Sequence, residues 1–202
     1  MSFSIYQLKP RFQRLLQPLV AGLAAAHITP NQMTVATAAV MVAYGAGLAL
    51  WPDCRGLWLG LIALMPLRMA LNALDGLLAR HTGQQTRLGA VLNEVCDLVA
   101  DLALDLPVAC LAGVEPVLAV LAAALAAVAE QAGLAALAAG ASRRFDGPMG
   151  KSDRAFAYGL IGLLAGVGVA SAWIDAVLAA VIVLLVWTTI NRLKAGGAPP
   201  TP

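Results

Sequence analysis

The stretch from Asn72 to Asp97 holds side chains that could do chemistry at a spacing that could gather them. It reads Asp75-Gly76-x-x-Ala79-Arg80, then eight residues, Gly89, seven more, and Asp97, with Asn72 and Asn93 in the same frame. These polar groups fall at the ends of two long apolar stretches, where lipid penalises charge that lacks a partner. Side-chain oxygens with little nitrogen around them suit a hard divalent cation, Mg²⁺, Mn²⁺ or Ca²⁺, better than a soft metal. Such a cation can grip a pyrophosphate and neutralise charge on a leaving phosphate. Gly76, Ala79 and Gly89 would keep the helix surfaces bare, so that a bulky nucleotide reaches the backbone. Small residues also permit tight helix packing, and it is the neighbouring carboxylates that favour the first role.

Two helices must position this set. Arg68, Asn72, Asp75, Gly76 and Ala79 share one face at about 100° per residue. Asn93, Asp97, Asp101 and Asp105 each follow one turn after the last and form a second stripe. The short connection from His81 to Leu88 makes the two helices antiparallel neighbours, which brings Asn72 and Asp75 level with Asn93 and Asp97. Arg68 lies roughly 10 Å deeper than Asp75 at 1.5 Å per residue and is expected to pair with Asp101 or Asp105. Glu130 is expected to make an interhelical hydrogen bond, or else to lend the site a further carboxylate.

Composition places these helices in a membrane. Of 202 residues, 60% are hydrophobic and 12% charged, against about 25% charged in a soluble domain, and mean hydropathy is +0.81. The expected fold is all-α and polytopic, a single domain over 1–202. Six transmembrane helices are expected near 32–51, 57–80, 88–112, 115–140, 155–173 and 174–193, the last two joined by a tight turn around Trp173–Asp175. Residues 1–30 are expected to form a juxtamembrane segment that includes an amphipathic interfacial helix. With six spans both termini share a side with Lys9, Arg11, Arg14, Arg80, Arg87, Arg143, Arg144, Lys151, Arg154, Arg192 and Lys194, while Arg55 alone lies opposite. The positive-inside rule then puts both termini in the cytoplasm. Trp51, Trp58 and Trp173 are expected at the outer interface. Cys54, Cys96 and Cys110 form no CxxC pair and suggest neither a disulfide framework nor a zinc site.

These residues resemble the signature of the CDP-alcohol phosphatidyltransferase family, Asp-x2-Asp-Gly-x2-Ala-Arg-x8-Gly-x3-Asp-x3-Asp. Here it stands as Asn72-x2-Asp75-Gly76-x2-Ala79-Arg80-x8-Gly89-x3-Asn93-x3-Asp97, with every spacing kept. Thr29-Pro30-Asn31-Gln32-Met33-Thr34 resembles the opening of the family's first helix, and Gly150-Lys151-Ser152-Asp153-Arg154 its basic loop. The resemblance implies transfer of a phosphatidyl group from CDP-diacylglycerol, or a similar CDP-linked donor, to an alcohol with release of CMP. It implies metal ligands at Asn72, Asp75, Asn93 and Asp97 with Mg²⁺ or Mn²⁺ as cofactor, and Asp97 as the catalytic base. It implies a CDP pocket lined by Thr34, Gly76, Ala79, Arg80 and Gly89, and a homodimer in a bacterial inner membrane. Membrane lipids are expected partners and nucleic acid is not.

The asparagines depart from that signature. Asn72 and Asn93 replace the first and third aspartates, so two formal negative charges are lost, and the chain looks most like a bacterial subgroup with these same asparagines. Glu94, Asp101 or Glu130 could compensate; otherwise the chain is a degenerate homologue that binds lipid or nucleotide or assists a partner synthase. A transporter would spread its polar residues over several spans with broken helices at the midplane, unlike this pattern. Lys151 and Arg154, three apart, either hold the phosphate of a phosphorylated acceptor or are ordinary positive-inside charge facing anionic lipid. Arg143 and Arg144 are given the second role.

Overall fold

The computed structural model describes residues 8–197, and side-chain surroundings from residue 15 onward. The first seven residues of the expected interfacial segment, and the side chains of Lys9, Arg11 and Arg14, lie outside the described residues. Seven α-helices are described: α1 (Leu8–Ala25), α2 (Pro30–Leu50), α3 (Arg55–Thr82), α4 (Arg87–Asp105), α5 (Pro116–Ala138), α6 (Lys151–Val167) and α7 (Ser171–Gly196). Four of them, α2, α3, α5 and α7, are long and apolar enough to cross a membrane. Of the other two expected spans, α4 carries Arg87, Glu94, Asp97, Asp101 and Asp105. The remaining one, α6, has 17 residues and opens with Lys151, Asp153 and Arg154.

Local chemistry sets the helix ends. Before α2, Thr29 and Gln32 form a reciprocal capping box: Thr29 N donates to Gln32 Oε1 at 2.9 Å and Gln32 N to Thr29 Oγ1 at 3.2 Å. The expected third span stops early, because Pro107 has no N–H to continue the ladder and the chain tightens into a 3₁₀ turn over Leu106–Cys110. Helix α6 starts four residues before the expected span, its first turn tied down by Gly150 N donating to Asp153 Oδ2 at 2.9 Å. It ends at Gly168, whose φ of 80° is left-handed backbone that glycine adopts without strain. The turn between α6 and α7 therefore precedes Trp173 and Asp175, which lie in the first turns of α7.

The chain forms two compact units, each discontinuous in sequence. One comprises residues 1–42 and 66–100, the other 43–65 and 101–202. In the first, α1 packs on the C-terminal part of α3 through Leu16, Val20, Leu74, Leu77 and Leu78. In the second, α5 packs along α7, which also meets α6. The buried face of α5 is almost all alanine, from Ala119 through Ala126 to Ala136, and such small side chains let helix backbones approach closely. The loop after α5 folds back on that helix, with Arg144 O against the bare Cα of Gly133. Trp58 is buried, with Nε1 donating to Pro52 O at 2.7 Å. Trp51 and Trp173 are exposed.

Candidate active site

Within the first unit, α2, α3 and α4 bring the signature residues around one cavity of about 340 Å³. Thr34 comes from α2; Asn72, Asp75, Gly76, Ala79 and Arg80 from α3; Gly89 and Asn93 from α4. Of the residues that helical spacing put on one face of each helix, Asn72, Asp75, Gly76, Ala79 and Asn93 line the cavity. Asp97 joins them through Asn72, whose Nδ2 donates to Asp97 Oδ1 at 2.7 Å. Arg68, buried below, donates from Nη2 to the backbone oxygen of Asp97 at 3.3 Å.

Asp75 is held on both carboxylate oxygens. It is buried; its Oδ1 accepts from Gly76 N at 2.6 Å and its Oδ2 from the Thr34 hydroxyl at 2.9 Å. A side chain at Gly76 would meet only Arg80 Nη1, at 3.7 Å, so the cavity wall there is bare backbone. Gly89 is tighter, since a Cβ would lie 2.9 Å from Asn31 Oδ1 and 3.0 Å from Thr86 Oγ1. The lining also includes Gln84, Gln85 and Thr86, which the sequence reading passed over as a connector. A signal was present at Thr86, a threonine just before a helix: its hydroxyl accepts from Gly89 N at 2.9 Å as an N-cap.

The candidate ligands among the signature residues offer oxygens, the carboxylates of Asp75 and Asp97 and the amide carbonyls of Asn72 and Asn93, which suit a hard divalent cation. Among the described residues no three His, Cys, Asp or Glu side chains gather where they could hold a metal ion. Asn72 and Asn93 account for that. The two signature carboxylates that remain, Asp75 and Asp97, balance one dication rather than two, and Asn72 turns an N–H, not an oxygen, toward Asp97.

The other acids and cations singled out in the sequence meet in the second unit, with Glu94 the exception on α4. Arg154 is buried, its Nη1 donating to Glu130 Oε1 at 2.9 Å and its Nη2 to Asp101 Oδ2 at 3.1 Å. Arg143 Nη2 stands 3.7 Å from Glu130 Oε2, while Arg144 pairs with Asp146 at 2.9 Å. Asp101 and Glu130 thus both accept from Arg154, and Lys151, on the same helix as that arginine, lines a separate cavity with Glu130. Arg192, assigned no role from sequence, is almost wholly buried and donates to Ala129 O at 2.6 Å.

Comparison with known proteins agrees with this arrangement. The sequence model of the CDP-alcohol phosphatidyltransferase family matches residues 27–190. The inner membrane protein YnbA of Escherichia coli is 40% identical over 193 residues, covering 95% of this chain and 96% of that protein. A phosphatidylinositol phosphate synthase of Mycobacteroides abscessus is 39% identical over 94 residues, but the match spans only 46% of this chain and 40% of that one. The fold is also that of the phosphatidylinositol phosphate synthase PgsA1 of Mycobacterium tuberculosis. Its crystal structure with CDP-DAG bound gives a TM-score of 0.76 at 23% identity, covering 93% of this chain and 96% of that one. The PgsA1 complex with manganese and citrate gives 0.74 at 23% identity, over 91% and 89%. With the signature in register, its residues around one cavity and the family match running through most of the chain, this membrane protein belongs to the CDP-alcohol phosphatidyltransferase family.

Proposed function

We propose that the protein is a transferase that moves a phosphatidyl group from CDP-diacylglycerol, or a similar CDP-linked donor, to a polar alcohol and releases CMP. The observation that carries this reading is the convergence of Thr34, Asn72, Asp75, Gly76, Ala79, Arg80, Gly89 and Asn93 on one cavity, with Asp97 tied to it by Asn72. Bare backbone at Gly76 leaves room for the nucleotide, and Arg80 supplies a cation for its phosphates. Asp97, its orientation fixed by Asn72, takes the proton of the incoming hydroxyl. The hydroxyl oxygen bonds to the phosphorus of the phosphatidyl group as the P–O bond to CMP breaks. Asp75, Asp97 and the carbonyls of Asn72 and Asn93 would hold one Mg²⁺ or Mn²⁺, which when bound supplies charge stabilisation at the phosphates. The same reading takes α4 and α6 as membrane helices whose polar residues face protein, puts both termini in the cytoplasm, and expects a homodimer.

One observation favours a second reading. With only two signature carboxylates, and no group of three acids gathered for a metal among the described residues, the chain could bind donor without turning it over. CMP release decides between them, measured on purified protein in detergent with CDP-diacylglycerol, Mg²⁺ or Mn²⁺ and a panel of free polyols, serine, glycerol phosphate and inositol phosphate. Metal-dependent release that falls by about 10²–10⁴-fold in Asp97→Asn, the usual contribution of a positioned general base, supports the transferase. Donor binding without release from any alcohol would favour the binding protein, and unchanged turnover in the variant would remove Asp97 from the base role.

A further inference from the structure

Helix α3 meets Asp97 with two consecutive turns. Asn72 Nδ2 donates to the carboxylate oxygen Oδ1 at 2.7 Å, and Arg68, one turn earlier, donates from Nη2 to the backbone oxygen at 3.3 Å. Arg68 is 6% exposed, so its guanidinium is a buried charge at the foot of the acid cluster. Asp75 lies on the same face of α3, two turns beyond Arg68, and is buried as well. All four residues belong to the first unit.

The hydrogen bond to Asp97 does not by itself call for an arginine. Asp97 lies inside α4, where its carbonyl oxygen already serves the helix ladder. A neutral amide could make the same bond without the cost of burying a charge. The charge has a consequence that the bond lacks. A cation held by Asp75 and Asp97 would share its surroundings with a fixed positive group, and like charges repel more strongly there than in water. Arg80 on the cavity wall and Glu94 on α4 add charges of both signs, but removing Arg68 raises cation affinity whatever their sum. Mg²⁺ is usually held by one or two carboxylates together with substrate phosphates, which suits weak binding before the donor arrives.

We propose that Arg68 is a positioning residue that holds the Asp97 turn in place and, through its charge, keeps the affinity of this site for a divalent cation low. The proposal rests on the one-cation reading of the site given above and not on turnover.

The test is titration of Mn²⁺ onto the intact protein in detergent, without donor, read by calorimetry and by the electron paramagnetic resonance signal of the free ion. The parent is compared with Arg68→Met, Arg68→Gln and Arg68→Lys, and Asp75→Asn identifies binding at this site by abolishing it. Mn²⁺ affinity is expected to be at least about tenfold higher in Arg68→Met and Arg68→Gln than in the parent, and near the parent's in Arg68→Lys. Glutamine keeps an N–H donor and carries the test if the methionine variant does not fold. A role confined to bracing α3 against α4 predicts the opposite sign, because a loosened Asp97 holds a cation less well. Equal or weaker binding in the neutral variants overturns the proposal and leaves the one-cation reading standing. So does a rise in Arg68→Lys as large as in Arg68→Met, since lysine keeps the charge. Binding that survives in Asp75→Asn, or no binding by any of these proteins, overturns the one-cation reading and the proposal with it.

Discussion

Asn72 donates its side-chain amide to Asp97, Nδ2 to Oδ1, at 2.7 Å. The family signature has aspartate at both positions, and two carboxylates at that separation cannot both stay ionised without a cation between them. The asparagine replaces that demand with a hydrogen bond, so this pair holds its geometry with or without metal. Asn72→Asp should therefore make the protein's stability depend on metal. In chelator the variant is expected to lose about 1–3 kcal/mol, the cost of a buried polar group without its partner. In Mn²⁺ it should recover, and melting temperature should climb more steeply with metal concentration than in the parent, because binding to the folded state stabilises it. Parallel metal responses in the two proteins would mean that Asn72 does not govern cation occupancy.

Gly76 and Gly89 separate room for a ligand from room for the fold. A Cβ at Gly76 meets nothing closer than Arg80 Nη1 at 3.7 Å, and alanine is favoured over glycine in a helix by about 0.8–1 kcal/mol. Gly76→Ala should therefore leave thermal stability unchanged or slightly raised while weakening CDP-diacylglycerol binding about tenfold, the equivalent of about 1.4 kcal/mol. Gly89→Ala should lower both, since its Cβ would press on Asn31 Oδ1 and Thr86 Oγ1. Titration of the donor alongside melting curves for the two variants reads the contrast. Undiminished donor binding in Gly76→Ala would place the nucleotide elsewhere.

The first cavity was largely legible in the sequence because its residues sit on two helices joined by a short loop. Helical periodicity alone sends Asn72, Asp75, Gly76 and Ala79 to one face, and the loop length fixes which turn of α4 they meet. What could not be read was which cation each distant acid would choose. The carboxylate of Asp101 takes Arg154, 53 residues away, a partner that helical periodicity does not single out. Glu130 makes an interhelical hydrogen bond, as expected, to Arg154 on α6, but the approach of Arg143 and Arg192 to the same carboxylate was not legible. Those contacts depend on how α5, α6 and α7 pack, and the alanine face of α5 has no periodic marker to say which neighbour it will meet. The end of α4 was missed for a simpler reason, because Pro107 lies inside a run that hydropathy alone reads as continuous.

Asp146 gives a pH-dependent element outside the helices. Its carboxylate accepts from Arg144 Nε at 2.9 Å and from Nη2 at 3.1 Å, and these hydrogen bonds hold its pKa below the ordinary aspartate range. The folded state therefore binds fewer protons here than the unfolded chain in mildly acidic solution, and stability rises with pH. The contribution is complete above the unfolded value of about 3.9 and disappears as pH falls through the folded one. Asp146→Asn should flatten that acid limb of a melting-temperature profile by lowering stability at neutral pH, and should converge on the parent at the acid end where the carboxylate is protonated. With 39% of the Asp146 side chain exposed, the difference should also shrink in high salt. A variant whose acid limb parallels the parent's would show that the pair contributes nothing to folding.

Thr34 links the first membrane helix to the central acid. Its hydroxyl oxygen lies 2.9 Å from Asp75 Oδ2 and 3.1 Å from Pro30 O, and with one hydrogen to give it favours the carboxylate, the stronger acceptor. Both residues are buried, so Thr34→Val keeps the shape and removes the donor. The expected loss of stability is about 1.5–3 kcal/mol, the range for a hydrogen bond to a charged group. If Asp75 is a cation ligand, the freed carboxylate should also misplace the metal, raising the Mg²⁺ concentration needed for half-maximal CMP release. Thr34→Ser restores the hydroxyl and should recover the metal requirement even where packing against its lost methyl is poorer. A destabilised valine variant with an unchanged metal requirement would confine Thr34 to holding α2 against α3.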